Sequence, residues 1–356
     1  MQTFDLKQIQ LARLNQLIAE VWGRNPFYTQ KWCEAGVSLY ELGSLRQLAQ
    51  FPFTTRSELI EDQTNNPPLG TNLTCPPHAL KRVYRSSGTS RAPLFWADTP
   101  QTWESVMRAS QALYVLAGLK LDDRLFFTLP FGSSGPWIMF EGACRLGCGC
   151  FNGRGASPEE QLLHISAFQP TVLVGKPDHL RSLANASAII DVDPRELGVR
   201  KLILTGESAS PELRMQLQYL WKAECFDRYG LTEAGPVASE CCAHAGGMHL
   251  LESELVAELI HPETLQPLDD GELGELVLTT LGRFSRPVIR YRTGDLVRLV
   301  RQHVCPCGRQ EALLMGGVRR AQITPHPAST LLARQSSTTG ARPQSRLVRR
   351  RCSVRP

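Results

Sequence analysis

The sequence of 356 residues has no long apolar run. No stretch approaches the 18 unbroken apolar residues of a membrane-spanning helix, and the first ten residues, MQTFDLKQIQ, lack the apolar core of a secretory signal peptide. Both absences argue against membrane-embedded and secreted classes of protein and predict a cytoplasmic protein with no membrane partner. The 11 cysteines are therefore predicted to be reduced thiols or metal ligands rather than a disulfide framework.

Lysine and acidic residues are absent from the C-terminal tail. Arg319 to Pro356 contain nine arginines and no acidic residue, and subtracting these nine charges from the total of +5 leaves −4 for the rest of the chain. The body is thus slightly acidic, and the tail has no aromatic residues among its arginines, so we expect no nucleic-acid partner. Its Ser, Thr, Pro and Arg content predicts disorder over residues 316–356.

The apolar pattern predicts an α/β fold. Residues 5–22 have the spacing of an amphipathic helix. Buried strands are expected at Leu125–Leu129, Thr171–Val174 and Lys201–Leu204, alternating with helices at Thr102–Leu116, Pro158–Phe168 and Pro211–Trp221. Alternation of this kind favours layers of helices on largely parallel sheets. From about residue 245 a period of two predicts a β-rich subdomain.

A loop rich in serine and glycine follows a predicted strand and suits phosphate binding. Backbone N–H groups around a glycine can converge on phosphate oxygens, and hydroxyl groups add further donors. The loop is not a Walker loop, because no Gly-Lys-Ser/Thr sequence closes it. Taken alone, the stretch is equally compatible with an ordinary Ser/Gly loop. The candidate phosphate ligands are Ser86, Ser87, Gly88, Thr89, Ser90 and Arg91.

Four sequence blocks resemble those of the phenylacetate–CoA ligase family of adenylate-forming enzymes. They are the loop just described, Phe51–Arg56, Tyr229–Glu233 and Tyr291–Leu296, in the family's order and at similar separations. The resemblance covers about residues 50–315. It implies the large N-terminal body of the adenylate-forming fold, with layered α/β sheets and a β-rich subdomain, and residues 1–315 as an AMP-binding domain. Arg91 replaces a family glycine, which predicts weaker ATP binding.

The resemblance also implies a role for each residue of the later blocks. Tyr229 and Gly230 would cover the adenine, Thr232 would hold the α-phosphate, and Glu233 would hold Mg²⁺. Thr232 and Glu233 are therefore the candidate catalytic residues. Asp295 would bind the ribose, and the Gly206–Glu207 turn would lie beside the adenine. Without the resemblance, Glu233 could be a solvated loop acid and Asp295 a turn residue.

The implied reaction is the activation of an aryl carboxylic acid with ATP, Mg²⁺ and CoA as cofactors. The carboxylate attacks the α-phosphorus, pyrophosphate leaves, and the CoA thiol then takes the acyl group. Phe131, Gly132 and Trp137 follow a predicted strand and are the candidate pocket for the small-molecule acid, although Phe131 and Trp137 could equally belong to the core. Two alternatives stay open: another acyl acceptor, as in relatives like coenzyme F390 synthetase, or a non-catalytic nucleotide-binding remnant. Relatives often form a homodimer, which this sequence does not decide.

A set of cysteine and histidine residues predicts a structural zinc site. Cys241 and His249 flank a turn that contains glycine, and Cys305 and Cys307 belong to a polar Cys-Pro-Cys-Gly-Arg turn. Three thiolates and one imidazole suit tetrahedral Zn²⁺, and many members of the family carry a comparable set. Cys242 could replace Cys241, and a surface histidine with core thiols is the alternative. The nearby residues Cys144, Cys148 and Cys150 are predicted to pack without a metal.

Complete family members continue into a hinge and a C-terminal lid that supplies a lysine for adenylation. Here Gly316–Val318 is followed by Arg319, Arg320 and Ala321, and neither hinge aspartates nor a lysine appear. We therefore predict that the lid is absent and that the tail is an out-of-frame or truncated form of it. Adenylation should then be severely impaired, since the lid supplies positive charge and excludes water.

Overall fold

The computed structural model describes residues 6–38, 41–86, 94–129 and 133–320, with only the main chain described at 244 and 245. The predicted phosphate ligands from Ser87 to Arg91, the pocket residues Phe131 and Gly132, and the part of the predicted disordered tail beyond Arg320 lie outside the described residues. The prediction of disorder is wrong for residues 316–320, which belong to the strand Leu313–Arg320. The helices are α1 Leu6–Val21, α2 Pro26–Glu34, α3 Arg56–Asn65, α4 Pro100–Leu116, α5 Ser134–Leu146, α6 Pro158–Phe168, α7 Pro177–Ala186 and α8 Pro211–Trp221.

Thirteen strands are described. They are β1 Arg82–Arg85, β2 Phe95–Asp98, β3 Arg124–Phe127, β4 Gly149–Asn152, β5 Val172–Gly175, β6 Lys201–Leu204, β7 Glu224–Leu231, β8 Gly235–Cys241, β9 His244–Leu250, β10 Leu255–Ile260, β11 Leu273–Thr280, β12 Tyr291–Val300 and β13 Leu313–Arg320. Strands β1 and β2 form a separate antiparallel pair. The other 11 strands form one sheet in the order β10-β11-β12-β13-β9-β8-β7-β6-β5-β3-β4.

Local sequence signals set where the helices begin. The hydroxyl groups of Thr55, Thr99 and Ser157 each accept a hydrogen bond from a main-chain N–H in the first turn of α3, α4 and α6. A proline follows the cap at the start of α4, α6 and α8, where its fixed φ suits a helix and its missing N–H is not needed. None of the helices in the described ranges is both long and apolar enough to cross a membrane.

Strand β7 divides the sheet into two halves. It pairs in parallel with β6 and antiparallel with β8. The parallel half comprises β4, β3, β5, β6 and β7, and helices cover both of its faces. On one face α6, α7 and α8 enclose a core that includes Leu162, Leu180 and Leu217; on the other, Tyr114 and Met139 of α4 and α5 pack on Phe127. The predicted α/β fold is confirmed.

The antiparallel half is built from longer strands. It runs from β8 through β9, β13, β12 and β11 to β10, so antiparallel pairing begins before residue 245. Helices α1 and α2 close part of it, where Leu17 and Trp32 belong to the same buried cluster as Val256 and Ile289. Helix α1 matches the predicted amphipathic helix, and its buried Gln10 donates to the carbonyl oxygen of Leu255 at 2.9 Å.

Candidate active site

A partly buried ion pair joins three of the four sequence blocks. Glu233 follows the end of β7, and its Oε1 accepts from Nη1 of Arg56 at 2.5 Å. Arg56 is the first residue of α3, and its Nη2 donates to Oγ of Ser86 at 2.7 Å. One guanidinium therefore links the candidate Mg²⁺ ligand to the only described residue of the predicted phosphate loop.

A second cluster surrounds the candidate ribose ligand. Asp295 is buried in β12, and its Oδ2 accepts from the hydroxyl of Tyr229 at 2.7 Å. Its Oδ1 accepts from Nη1 of Arg320 at 2.9 Å. Burial raises the pKa of the Tyr229 hydroxyl well above its usual value, and the negative charge of Asp295 raises it further. Tyr229 is therefore a neutral donor, and both carboxylate oxygens of Asp295 have a partner.

Charged groups of both clusters act on the hydroxyl of Tyr291. Burial raises its pKa well above the ordinary value, and the charge of Glu233 adds to this shift. The guanidinium groups of Arg56 and Arg320 act on the same hydroxyl in the opposite direction. Arg56 belongs to the first cluster and Arg320 to the second, and the charge of each favours ionisation of this one hydroxyl. The structure brings Ser86, Thr232, Glu233, Tyr229 and Asp295 into one region.

A buried arginine fixes the main chain at the end of β7. Nη1 of Arg283 donates to the carbonyl oxygens of Thr232 and Glu233 at 2.9 and 3.0 Å. Nη2 of the same residue donates to a carboxylate oxygen of Asp98 at 2.7 Å and to the hydroxyl of Tyr84 at 2.5 Å. All of these side chains are buried, so the network fixes the main chain of the candidate catalytic residues from within the protein core.

Sequence reasoning missed the roles of Arg56, Tyr291 and Arg283. Arg56 and Tyr291 were part of blocks that the resemblance identified, but no role followed from it for either residue. Arg283 and its partner Asp98 are 185 residues apart, so no local pattern could have joined them. The sequence did contain one signal. Arginines and aspartates stand singly among apolar residues, and such charged side chains must pair in order to be buried.

Helix α5 brings further polar and aromatic groups to the site. Oγ of Ser134, at its first residue, donates to Oγ1 of Thr232 at 3.1 Å. Trp137 lies one turn later, is 38% exposed, and meets the ring of Trp103 edge-on with centroids 6.0 Å apart. Trp137 is thus only partly buried and lies on the same helix as a group that contacts Thr232.

The Gly206–Glu207 turn lies at the edge of the same region. Gly206 has φ +89°, which favours glycine, and Glu207 is exposed. Next in the chain, Oγ of Ser208 accepts from the N–H of Val318 at 3.2 Å. The turn therefore adjoins β13, the strand whose last residue contacts Asp295. At Gly230, a Cβ would come within 2.8 Å of the carbonyl oxygen of Gly235, so close approach of β7 and β8 requires glycine there.

The candidate metal ligands form a compact cluster in the antiparallel half of the sheet. The ligand atoms of Cys241, His249, Cys305 and Cys307 all lie within 4.8 Å of one another. Sγ of Cys241 and Sγ of Cys305 are 3.6 Å apart, and Sγ of Cys307 is 3.4 Å from Nε2 of His249. Burial lowers the pKa of His249, which keeps the imidazole neutral as a metal ligand requires.

The alternative cysteines do not join this cluster. Cys242 is exposed, and the cluster contains Cys241 instead. Cys148 lies outside the cluster as well, and its thiol donates to the carbonyl oxygen of Lys120 at 3.3 Å.

Comparison with known proteins identifies relatives of this chain. Residues 101–284 match the family described as AMP-binding enzyme. The phenylacetate–coenzyme A ligase of Pseudomonas putida is 34% identical over 301 residues, which cover 83% of this chain and 67% of that protein. That of Thermus thermophilus is 32% identical over 310 residues, which cover 85% and 68%. The chain therefore spans about two thirds of the length of these relatives.

Solved structures of a 2-hydroxyisobutyryl-CoA ligase have the same fold. Its complex with 2-HIB-AMP and CoA in the thioesterification state has a TM-score of 0.84 and 26% identity, covering 89% of this chain and 68% of that one. An open conformation with the same two molecules has a TM-score of 0.83 and 24% identity, covering 92% and 74%.

Proposed function

The chain belongs to the AMP-binding enzymes and, among them, to the phenylacetate–coenzyme A ligase family, and from this membership we propose that it binds ATP and activates a carboxylic acid. The acid would be an aryl acid of the phenylacetate type, and CoA would accept the acyl group. One observation carries the proposal: Arg56 contacts both Ser86 and Glu233, and Tyr229, in the same block as Glu233, contacts Asp295. Residues of four distant blocks therefore converge on one region.

The residues present fit a magnesium nucleotide. Glu233 is a buried carboxylate, the ligand type that Mg²⁺ prefers, and the ion would neutralise phosphate charge. Arg56 and Ser86 offer charged and neutral donors to phosphate oxygens. Asp295 accepts from two donors and could accept instead from the two ribose hydroxyls. Tyr229 is held by that same carboxylate, which fixes its ring beside the ribose site.

The chemistry asks the protein mainly for positioning. The oxygen of the acid attacks the α-phosphorus, the bond to the bridging oxygen breaks, and pyrophosphate leaves. The CoA thiol then loses its proton, bonds to the acyl carbon, and AMP leaves. Thr232 would donate its hydroxyl to an α-phosphate oxygen, and Arg283 would hold the main chain of Thr232 and Glu233 in place.

Structural zinc is the second part of the proposal. Tetrahedral Zn²⁺ with bonds of about 2.3 Å to sulfur places its ligand atoms roughly 3.8 Å apart, close to the separations in the Cys/His cluster. The cluster joins β8 and β9 to the turn before β13. With four protein ligands, the ion would stabilise the antiparallel half and take no part in the reaction.

The test is titration of the full chain with Mg·ATP and AMP, together with acid-dependent pyrophosphate exchange and metal analysis of the purified protein. We expect nucleotide binding and one zinc per chain. Binding without exchange would favour the non-catalytic remnant, and an adenylate that is not transferred to CoA would favour another acceptor. Absence of nucleotide binding would overturn the proposal.

A further inference from the structure

A buried guanidinium without a carboxylate partner lies next to the candidate active site. Arg228 belongs to β7 and directly precedes Tyr229. Its Nη2 donates to Oγ of Ser110 at 2.7 Å, and its guanidinium carbon lies 4.5 Å from the ring centroid of Tyr114. Its Nη1 is buried and has no hydrogen-bond partner within residues 6–38, 41–86, 94–129 and 133–320.

Two of the three other buried arginines among the described residues are paired with acids: Arg283 lies 2.7 Å from Asp98, and Arg290 lies 2.8 Å from Glu258. Arg286 is the third, and it forms no salt bridge with any described residue; its Nη2 donates to the carbonyl oxygen of Leu69, and its Nε and Nη1 have no described partner. It differs from Arg228 in that the charge of Asp62 acts on it. Burial lowers the pKa of Arg228, and the two contributions that raise it again both come from Tyr114.

This arrangement is unfavourable unless a ligand completes it. Arginine stays protonated in proteins, so Arg228 is a positive charge in an apolar region. Burial of an unpaired charge costs much more than burial of a paired one. A buried charge that no neighbouring acid neutralises is expected mainly at functional sites. Since no described residue supplies the missing partner of Arg228, that partner should be negatively charged and belong to a ligand.

Contacts through helix α5 connect Arg228 with Thr232, where the reactive carboxylate of the substrate would bind. Ser110 donates to the carbonyl oxygen of Ile138 at 3.1 Å, so the group that binds Arg228 is itself fixed to α5. The same helix starts at Ser134, whose hydroxyl contacts Thr232. Ser134 and Ile138 are one helical turn apart, about 6 Å along the axis. A carboxylate bound at Thr232 and a second carboxylate bound at Arg228 would therefore lie along the same side of α5.

We propose, resting on the proposed function, that the acid activated here carries a second carboxylate and that Arg228 binds it. Arg228 is then a specificity-determining residue, and the substrate class is an aryl acid whose ring carries a second carboxylate. The reactive carboxylate lies at Thr232, and the distal one forms charge-assisted hydrogen bonds with the guanidinium.

The test compares two acids of similar size on the full chain saturated with AMP. The ligands are 4-carboxyphenylacetate and 4-methylphenylacetate, and isothermal titration measures their dissociation constants. We expect the dicarboxylate to bind at least about tenfold more tightly, because hydrogen bonds to a buried charge are strong. In Arg228→Met, the preference should fall to within about threefold, mainly through weaker binding of the dicarboxylate. Equal affinity of the unaltered chain for both acids overturns the proposal.

A matched control is Arg286→Met, which removes another buried guanidinium without a salt bridge and should leave the preference unchanged. Arg228→Met should fold, since an apolar side chain of similar length replaces an unpaired charge; if it does not, the comparison of acids on the unaltered chain still decides. Mg·ATP is titrated in parallel. Nucleotide binding with no preference between the acids overturns only the role of Arg228, whereas no nucleotide binding overturns the proposed function and this proposal with it.

Discussion

The two halves of the large sheet are stabilised in different ways. In the parallel half, four-residue strands such as Val172–Gly175 are fully buried and apolar, and the helices cover them. In the antiparallel half and at its border, buried arginine–carboxylate pairs lie among the apolar residues, such as Arg283–Asp98 and Arg292–Glu275. The candidate site residues are divided between the halves: Tyr229 and Gly230 belong to β7, Thr232 and Glu233 follow it, and Asp295 belongs to β12. The site therefore lies where the two halves meet, and on its antiparallel side charged groups are buried in pairs.

The strongest test of this difference is the substitution Arg283→Met. It leaves Asp98 buried and unpaired and frees the carbonyl oxygens of Thr232 and Glu233, so we expect a loss of about 3–5 kcal/mol in the free energy of unfolding. Nucleotide binding should weaken as well. Urea denaturation and titration with Mg·ATP measure the two effects.

The matched substitution in the parallel half is Arg200→Met. Arg200 pairs with Asp123 at 2.8 Å, but its side chain is 56% exposed, so we expect a loss of about 1 kcal/mol or less. Equal losses for Arg283→Met and Arg200→Met would contradict the contrast between the halves.

Removal of zinc is expected to have the next largest effect, a loss of stability of the antiparallel half. If Zn²⁺ binds the cluster of Cys241, His249, Cys305 and Cys307, an ion at 100 times its dissociation constant contributes about 2.7 kcal/mol to stability. We expect a chelator to lower the melting temperature and His249→Ala to abolish the response to the chelator. Cys242→Ser is the control, since Cys242 is exposed and outside the cluster.

Strand β7 belongs to both halves, and its Asp227 provides a test through pH. Burial raises the pKa of Asp227 to about 6, with a further contribution from Glu240. Since the folded chain binds this proton more tightly than the unfolded chain, the stabilisation from Asp227 is present below about pH 4 and is lost as the pH rises through about 6.

Asp227→Asn mimics the protonated acid and should therefore be more stable than the unaltered chain above pH 7, by about 1–2 kcal/mol. At pH 4 the two proteins should unfold at similar urea concentrations. A difference that does not change with pH would show that Asp227 does not titrate in this way.

The smallest effect is expected for Arg320→Ala. Arg320 is 66% exposed and contacts Oδ1 of Asp295, one of the two oxygens proposed to accept from the ribose. Exposed ion pairs contribute little, so removal of this competitor should strengthen AMP binding by no more than about two- to threefold. Titration with AMP measures it, and Arg319→Ala is the control. Weaker AMP binding would mean that Arg320 itself contacts the nucleotide.

The fold was largely predictable from the sequence, because its signals are local. Helices α6 and α8 have the predicted bounds, since each has a serine cap followed by proline. The antiparallel strands were harder to place, because β8 is buried along its whole length and does not alternate. The site was predictable only where the sequence blocks resemble a family. The contact of Arg56 with Glu233 spans 177 residues and follows only from the folded chain.

Alternation along β7 makes this strand unusually sensitive to insertions. Side chains of successive residues in a strand point to opposite faces, so Arg228 and Tyr229 lie on opposite sides of the sheet. One added residue before Arg228 would turn the guanidinium towards Asp295 and the phenol towards Ser110. A pair of residues added together would preserve the faces but shift the strand along β6. The length of the segment between β6 and Thr232 therefore decides which face of the sheet each of these side chains occupies.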